Sequence, residues 1–534
     1  MTRTLLLGLD GATYTLLDDL FENGYMPFLK SLIENGVSAT LLSTPCPVTP
    51  PAWTSMTTGV NPGQHGIFDF ISADDSGGTI KFHMETARGV QAETLWSLLN
   101  RHGMKAGVMN FPVSYLTPPF DGYMVPGFIT ARVLKMGVQP REFYDEIKQL
   151  PGFDLKAISW NSEGGETTLG STRMKDLAEL NAWVDRLRRK ERGWHAIAKA
   201  LIQKNDCPLL ALVFEGVDRI QHLTWDLLDP IYFPAHPTSE DLAARDICYS
   251  YYTLVDELLA DLVKTAGPDT RIIVASDHGF GSTTELFYAN AFLAREGYLT
   301  WKPEALTDSA GMMHDVNMRN HFDSIDLPNT VAYVRTASAN GIYIRVAREP
   351  GQTGIPPQDY ERVREEIRQK LLAYRDPRNG EPVVTKVVTR DEAFPGRANH
   401  LAPDLTLTLR DGGFVSILNS EELVVPRPEV KGTHRPEGIF VASGPGFRKG
   451  ARLEDLSILD IAPTLLYSLG LPIPEDLEGR LIEEAFDPAH LQTQPPRKGP
   501  PTQPPGAEDH NQAGLEEVDE NIVLERLKAL GYIE

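Results

Sequence analysis

Three short apolar runs in this chain each end in a carboxylate: "RTLLLGLDG", "PLLALVFEGVD" and "RIIVASDHGFG". Apolar runs of this length, closed by an acid and a glycine, read as strands buried on both faces. Amphipathic stretches lie between them. "MPFLKSLIENG", "ETLWSLLNRHG", "RGWHAIAKALIQKN" and "DICYSYYTLVDELLADLVKTAG" read as helices, and "VSATLLSTP" and "KAGVMNFP" as further strands. This alternation predicts an α/β fold, a mostly parallel sheet flanked by helices on both faces. Sheets of that kind gather ligand sites at the carboxyl ends of their strands. The acids of this chain stand at those ends.

The length of 534 residues leaves room for more than one such core. Residues 1–299 and 430–486 read as the core, with an irregular insertion at about 125–190 around "WNSEGGETTLGSTR". Residues 300–429 hold "TVAYVRTASANGIYIRV", "QDYERVREEIRQKLLAY" and "APDLTLTLR", which predict an α+β cap. Residues 487–514 are rich in Pro, Gln and Gly and predict a mobile linker. Residues 515–534 predict a C-terminal amphipathic helix that docks on this chain, on a second copy or on a partner.

A net charge of -22 argues against a broad basic face for nucleic acid. No run approaches the ~18 apolar residues of a membrane span. The three cysteines show no C-x-x-C spacing, and Asp10 closes the first apolar run before it reaches the length of a signal-peptide core. These features predict a reduced, cytoplasmic setting.

Seven residues carry the chemistry: Asp10, Thr49, Asp218, His222, Asp277, His278 and His434. Asp218 and His222 are four apart and share a face if a helical turn begins there. Each residue alone has a plain structural role, such as capping a helix. Gathered at one sheet edge, these acids and imidazoles would be costly to bury without cations between them. Two divalent ions resolve that conflict. Carboxylate oxygen and imidazole nitrogen suit zinc, with manganese as the alternative. Ions ~4 Å apart clamp the attacking and leaving oxygens of a phosphoryl group. Thr49 in "VTPPAWTSMTTG" then reads as an activated nucleophile held on a stiff Pro-Pro turn. A helix starting near Ala52 would offer backbone N–H groups to an anion.

The pieces "LGLDG", "TPPAWTSMTTGVNPGQHGI", "EGVDRIQH", "SDHGFG" and "GTHRPEGIF", in this order, resemble the alkaline phosphatase superfamily, in particular its type I phosphodiesterase/nucleotide pyrophosphatase branch. The likeness runs through most of residues 1–480, with "NFPVSY" and "LAPDL" included. It implies two zinc ions, one held by Asp218, His222 and His434. The other would be held by Asp10, Asp277 and His278, with Thr49 alongside. It implies attack by Thr49, a phosphothreonine intermediate, and hydrolysis of small phosphorylated substrates: phosphodiesters or nucleotide-type phosphoanhydrides. One position departs from the branch. Nucleotide pyrophosphatases carry an Asn three residues after the nucleophile, and here that residue is Ala52. Asn110 of "MNFP" is the candidate substitute for phosphate contact. No strand-end arginine motif accompanies the set, which favours diesters.

Three rival readings remain at this stage. A sulfatase needs a Cys or Ser that becomes formylglycine, followed by Pro and Arg; Thr49 and Trp53 stand at those places, and the segment around Cys46 lacks the pattern. A phosphomutase of the cofactor-independent phosphoglycerate mutase type would use the same metals. A non-catalytic scaffold would lose ligands, and none of the six is lost. His65 is expected to brace the loop beneath the site. His314 and His321 are expected to be solvated cap residues, "RLRRKER" at 186–192 a solvated helix face, and "CYSYY" near 248 core.

Overall fold

The computed structural model describes residues 3–75, 80–160, 176–302 and 324–503. Its centre is a nine-stranded sheet. Three neighbouring strands form the middle: Thr270–Ala275, Arg3–Leu9 and Leu209–Phe214. All three are parallel and buried at every position. Their sequences are nearly continuous apolar runs because helices cover both faces. Leu5, Leu7 and Leu9 pack toward the helices Leu177–Lys204 and Ser239–Ala266. Leu6 packs toward the helices Thr49–Thr58, Leu95–Arg101 and Ile461–Ser468. The sheet extends through Ala106–Met109 and Gly122–Val125 on one side. On the other, Glu437–Ser443 runs antiparallel to both Thr270–Ala275 and Val37–Leu42. The sheet is therefore mixed, and largely parallel.

Two smaller sheets stand beside this core. The strands Ala332–Val334, Gly341–Ile344, Leu405–Leu409 and Val384–Thr389 form an antiparallel cap sheet. The helix Tyr360–Ala373 buries Val363, Ile367 and Leu371, one every four residues, against it. A three-stranded sheet joins Val415–Ser416, Gly279–Tyr288 and Val424–Arg435. In it His434 lies opposite Phe280, so His434 reaches the site from a side sheet, not from the main one.

The structure differs from the sequence reading in the long helix, the insertion and the linker. The helix expected from "RGWHAIAKALIQKN" runs from Leu177 to Lys204. It includes "RLRRKER", which is not a solvated face throughout: Lys190 and Glu191 are buried. Within the insertion, Ala131–Gly137, Arg141–Ile147 and Leu155–Ile158 are short helices. The described start of the expected linker is tied to the core. Pro488–Thr493 is helical, Tyr467 Oη donates to the Gln494 carbonyl, and Lys498–Gly499 pairs with Ile473–Pro474. Fixed φ angles let a Pro-rich segment dock as a preformed extended chain. The segment "WNSEGGETTLGSTR", His314, His321 and the expected helix 515–534 lie outside the described residues, apart from Trp160. Among the described residues no helix is long and apolar enough to cross a membrane.

The Thr49–Thr58 helix is fixed from below by two contacts. Trp53 packs over Gly8, where an added Cβ would lie 2.4 Å from the indole ring. His65, fully buried, bridges Ser55 Oγ at 2.9 Å and accepts the Ile67 N–H at 3.2 Å. Its Nδ1 is therefore unprotonated, and burial pulls its pKa down to about 3. Two outcomes follow. Gly8→Ala should destabilise the fold by ~1–3 kcal/mol through overpacking, read as a lower urea midpoint; an unchanged midpoint contradicts this packing. Below pH ~6.5 the unfolded chain protonates His65 while the folded chain resists until about pH 3. Stability therefore falls as pH falls through that window, by up to ~1.4 kcal/mol per pH unit. His65→Gln should be less stable at pH 7 yet lose stability less steeply toward pH 4.5. Equal slopes would refute a buried neutral imidazole.

Candidate metal centre

Three adjacent parallel strands deliver the first residues of the site. Asp10 follows Leu9, the end of the first strand. Asp277 and His278 follow the strand Thr270–Ala275 after one serine. After Leu209–Phe214 the chain turns at Glu215 into the helix Gly216–Leu228, which carries Asp218 and His222 on adjacent turns. His434 comes from the side sheet. The result is two groups of potential ligands, Asp218/His222/His434 and Asp10/Asp277/His278. Within each group the ligand atoms lie within 4.8 Å of one another, and all six residues are buried. The rings of His278 and His434 stack 3.6 Å apart and join the two groups.

All three imidazoles are held the same way. His222 Nδ1 meets the Gly432 carbonyl at 3.0 Å, His434 Nδ1 the Pro47 carbonyl at 2.6 Å, and His278 Nδ1 the Gly279 carbonyl at 3.1 Å. A carbonyl only accepts, so each Nδ1 donates to its carbonyl and each ring turns its Nε2 inward. That is the orientation a ligating histidine needs, set by its outer hydrogen bond. The Nε2 atoms of His222 and His434 are 3.1 Å apart. Two bare lone pairs at that distance repel unless a cation or a proton stands between them.

The carboxylates show the same frustration. His434 Nε2 is 3.1 Å and His222 Nε2 3.4 Å from Asp218 Oδ1. Burial pushes the Asp218 carboxyl up, but His222 and His434 together outweigh it and hold the group well below its usual range. Asp10 and Asp277 go the other way. Burial, then the neighbouring Asp277 and Asp218 charges, raises Asp10 well above the ordinary carboxylate range. Burial likewise raises Asp277, although the Gly11 N–H bonds its Oδ1 at 3.2 Å. Among the described residues, neither oxygen of Asp10, nor Asp277 Oδ2, makes a hydrogen bond, although His278 Nε2 lies 3.5 Å from Asp10 Oδ1 and 3.3 Å from Asp277 Oδ2. Burial also lowers His278 and His434. Carboxylate oxygens facing inward-turned imidazole nitrogens form a donor set suited to divalent cations.

Thr49 opens its helix beside the second group, with its Oγ 3.3 Å from His278 Nε2. Pro50 and Pro51 fill the first turn, where a missing N–H is tolerated. The helix starts three residues earlier than the sequence predicts. As a result the Ala52 N–H bonds the Val48 carbonyl at 3.1 Å, so it does not face an anion as expected. Asn110 is buried at the end of the strand Ala106–Met109, where its Nδ2 donates to the Val213 carbonyl at 2.9 Å. No hydrogen bond links it to the two groups. Cys46 is buried and donates to the Ala339 carbonyl at 3.0 Å, a structural thiol.

A buried charge network supports the Asp218 helix, and the motifs alone did not reveal it. Glu191 accepts the Gly216 N–H at 2.9 Å and the Tyr251 O–H at 3.0 Å. Glu215 pairs with Lys190 and, at 3.0 Å, with Arg219. Burial raises Glu191 to about 7. Its signal was periodicity: Leu180, Trp183, Val184, Leu187, Trp194, Ile197, Ala198 and Leu201 form one buried stripe, and Lys190 and Glu191 fall on it.

The type I phosphodiesterase / nucleotide pyrophosphatase family matches this chain over residues 4–437. A 2,3-bisphosphoglycerate-independent phosphoglycerate mutase of Cereibacter sphaeroides is 39% identical over 70 residues. That stretch is 12% of this chain and only 13% of that curated relative. Among solved structures, murine ectonucleotide pyrophosphatase / phosphodiesterase 5 is similar at TM-score 0.50 and 15% identity, covering 91% of this chain and 100% of that one. A phosphonoacetate hydrolase from Sinorhizobium meliloti 1021, in complex with phosphonoformate, gives 0.49 and 17%, covering 88% and 95%. The family match spans the strand ends, the Thr49 helix and all six potential ligands, and the chain belongs to the type I phosphodiesterase / nucleotide pyrophosphatase family of the alkaline phosphatase superfamily.

Proposed function

We propose that this protein hydrolyses phosphate esters, preferentially diesters or phosphoanhydrides, with two divalent ions and Thr49 as nucleophile. The observation that carries this reading is the shared posture of the three histidines, each with Nδ1 on a carbonyl and Nε2 turned inward. Asp218, His222 and His434 would hold one ion, and Asp10, Asp277 and His278 the other, with Thr49 at its side. Zinc fits this nitrogen and oxygen set, and manganese accepts the same ligands. Bound there, the ions would supply charge neutralisation at the phosphoryl oxygens and acidify the Thr49 hydroxyl.

The chain's own residues do the rest. The two prolines and the Trp53–Gly8 contact hold Thr49 in one place, so little reorganisation precedes attack. Thr49 Oγ forms a bond to phosphorus as the bond to the leaving oxygen breaks, giving a phosphothreonine. The leaving oxygen takes up a proton, and the phosphoryl group on Thr49 keeps its other substituent. Water then attacks phosphorus, the Thr49 Oγ–P bond breaks, and a phosphate monoester leaves as the hydroxyl is restored. Ala52 provides no side-chain amide for the phosphoryl group, so substrate choice rests elsewhere, in the insertion or the cap.

The 70-residue likeness to a phosphoglycerate mutase supports a second reading, phosphoryl transfer within one molecule. Both readings pass through a phosphoryl group on Thr49, and a phosphoglycerate substrate separates them: free phosphate for hydrolysis, an isomerised phosphoglycerate for the mutase. Thr49→Ala should lower turnover of a chromogenic diester by roughly a thousandfold or more. Bound metal should stay unchanged. Full activity in that variant would refute the nucleophile, and isomerisation without phosphate release would favour the mutase.

A further inference from the structure

A cavity of about 540 Å³ opens between the hairpin Ile71–Asp74/Lys81–Met84 and the cap sheet. None of the six potential ligands lines it, nor does Thr49. The volume lies within the range of small-molecule sites. Phe82 and Met84 supply an apolar wall; Arg335, Arg345 and Arg390 bring positive charge, and Asp69, Asp75, Glu85 and Asp404 bring carboxylates.

Asp404, Asp69, Arg345 and Arg390 have protein partners. Asp404 accepts the Ile344 N–H at 2.6 Å, the Tyr360 O–H at 2.6 Å and Arg390 at 3.1 Å. Asp69 takes the hydroxyls of Thr336 and Ser338 and the Phe70 N–H. Arg345 donates to the Leu327 and Thr330 carbonyls and to Thr353. Arg335 differs. Its guanidinium carbon lies over the Tyr343 ring, 3.8 Å from the centroid, and its Nε reaches Tyr333 Oη at 3.3 Å. Its Nη2 forms an ion pair with Asp75 Oδ2 at 3.6 Å, longer than a hydrogen bond. The Tyr343 ring, Tyr333 Oη and Asp75 thus hold the guanidinium from one side. Among the described residues, nothing hydrogen-bonds its outer edge.

A planar guanidinium held this way matches the two oxygens of a carboxylate or phosphate. We propose that the cavity is a second ligand site, for a small molecule carrying a carboxylate or phosphoryl group on an apolar body. The oxyanion would sit on the outer edge of Arg335 and the body against Phe82 and Met84. Its occupant would bridge the hairpin and the cap sheet. The site is separate from the metal centre and does not depend on the reaction proposed there.

The test uses the full metal-loaded chain and two probes, 4-iodobenzoate and phenylphosphonate. Calorimetry measures their affinity, and iodine anomalous scattering from crystals soaked in the first locates it. The expected result is an iodine peak in this cavity and affinity at least about tenfold weaker in Arg335→Gln. Arg335→Lys keeps the charge, loses the planar fork and should lose affinity likewise, which preserves the test if the Gln variant misfolds. The better probe assigns the headgroup as carboxylate or phosphoryl. Probes found only at the metal centre, no binding of either probe, or equal binding by both variants would overturn the proposal.

Discussion

Inward-facing acceptors crowded into one buried volume are the constraint from which the rest follows. Three imidazole Nε2 atoms and three carboxylates converge with few donors among them. Such a group raises the energy of the fold unless positive charge joins it. The ordinary escape is a pKa shift, and the site shows both directions of it. Asp10 and Asp277 are driven toward the neutral form by burial, whereas His222 and His434 keep Asp218 ionised. The two adjacent groups are pulled opposite ways, and a cation bound at either would favour the ionised carboxylates.

The architecture supplies what this balance needs. Three parallel strands end side by side, and their carboxyl ends place Asp10, Asp277 and the Asp218 helix within reach of each other. His434 has to arrive from outside the main sheet, on the strand that pairs with Gly279–Tyr288. Backbone carbonyls at Gly432, Pro47 and Gly279 then set every ring. Beneath them, Glu191 and Glu215 anchor the start of the Asp218 helix through buried hydrogen bonds and ion pairs. Charges buried so completely are weak contributors to stability, and removal of one partner is costly. Their effect here is to fix where Asp218 points.

Much of this was legible in the sequence because it depends on local chemistry. An apolar run that ends in an acid specifies both a buried strand and the residue at its mouth, and this held for Asp10 and Asp277. The spacing of Asp218 and His222 specified a shared helix face. What sequence could not show was long-range. The side sheet that carries His434 requires pairing across more than a hundred residues. The helix start at Thr49, and so the engagement of the Ala52 N–H, depends on two prolines packing into a first turn. Lys190 and Glu191 look like solvent charges until their place on the apolar stripe is counted. The cavity beside Arg335 is built from hairpin and cap segments some 250 residues apart in the chain, and no motif marks it.

The two-ion centre is tested most directly by counting metal. Purified protein equilibrated with zinc or manganese, then freed of loose metal, is assayed by mass spectrometry in the wild type, Asp218→Asn and Asp277→Asn. The account predicts two tightly held ions per chain in the wild type and about one in each variant. Fewer than two in the wild type, or variants that retain the full complement, would contradict a bimetallic site built from these six side chains.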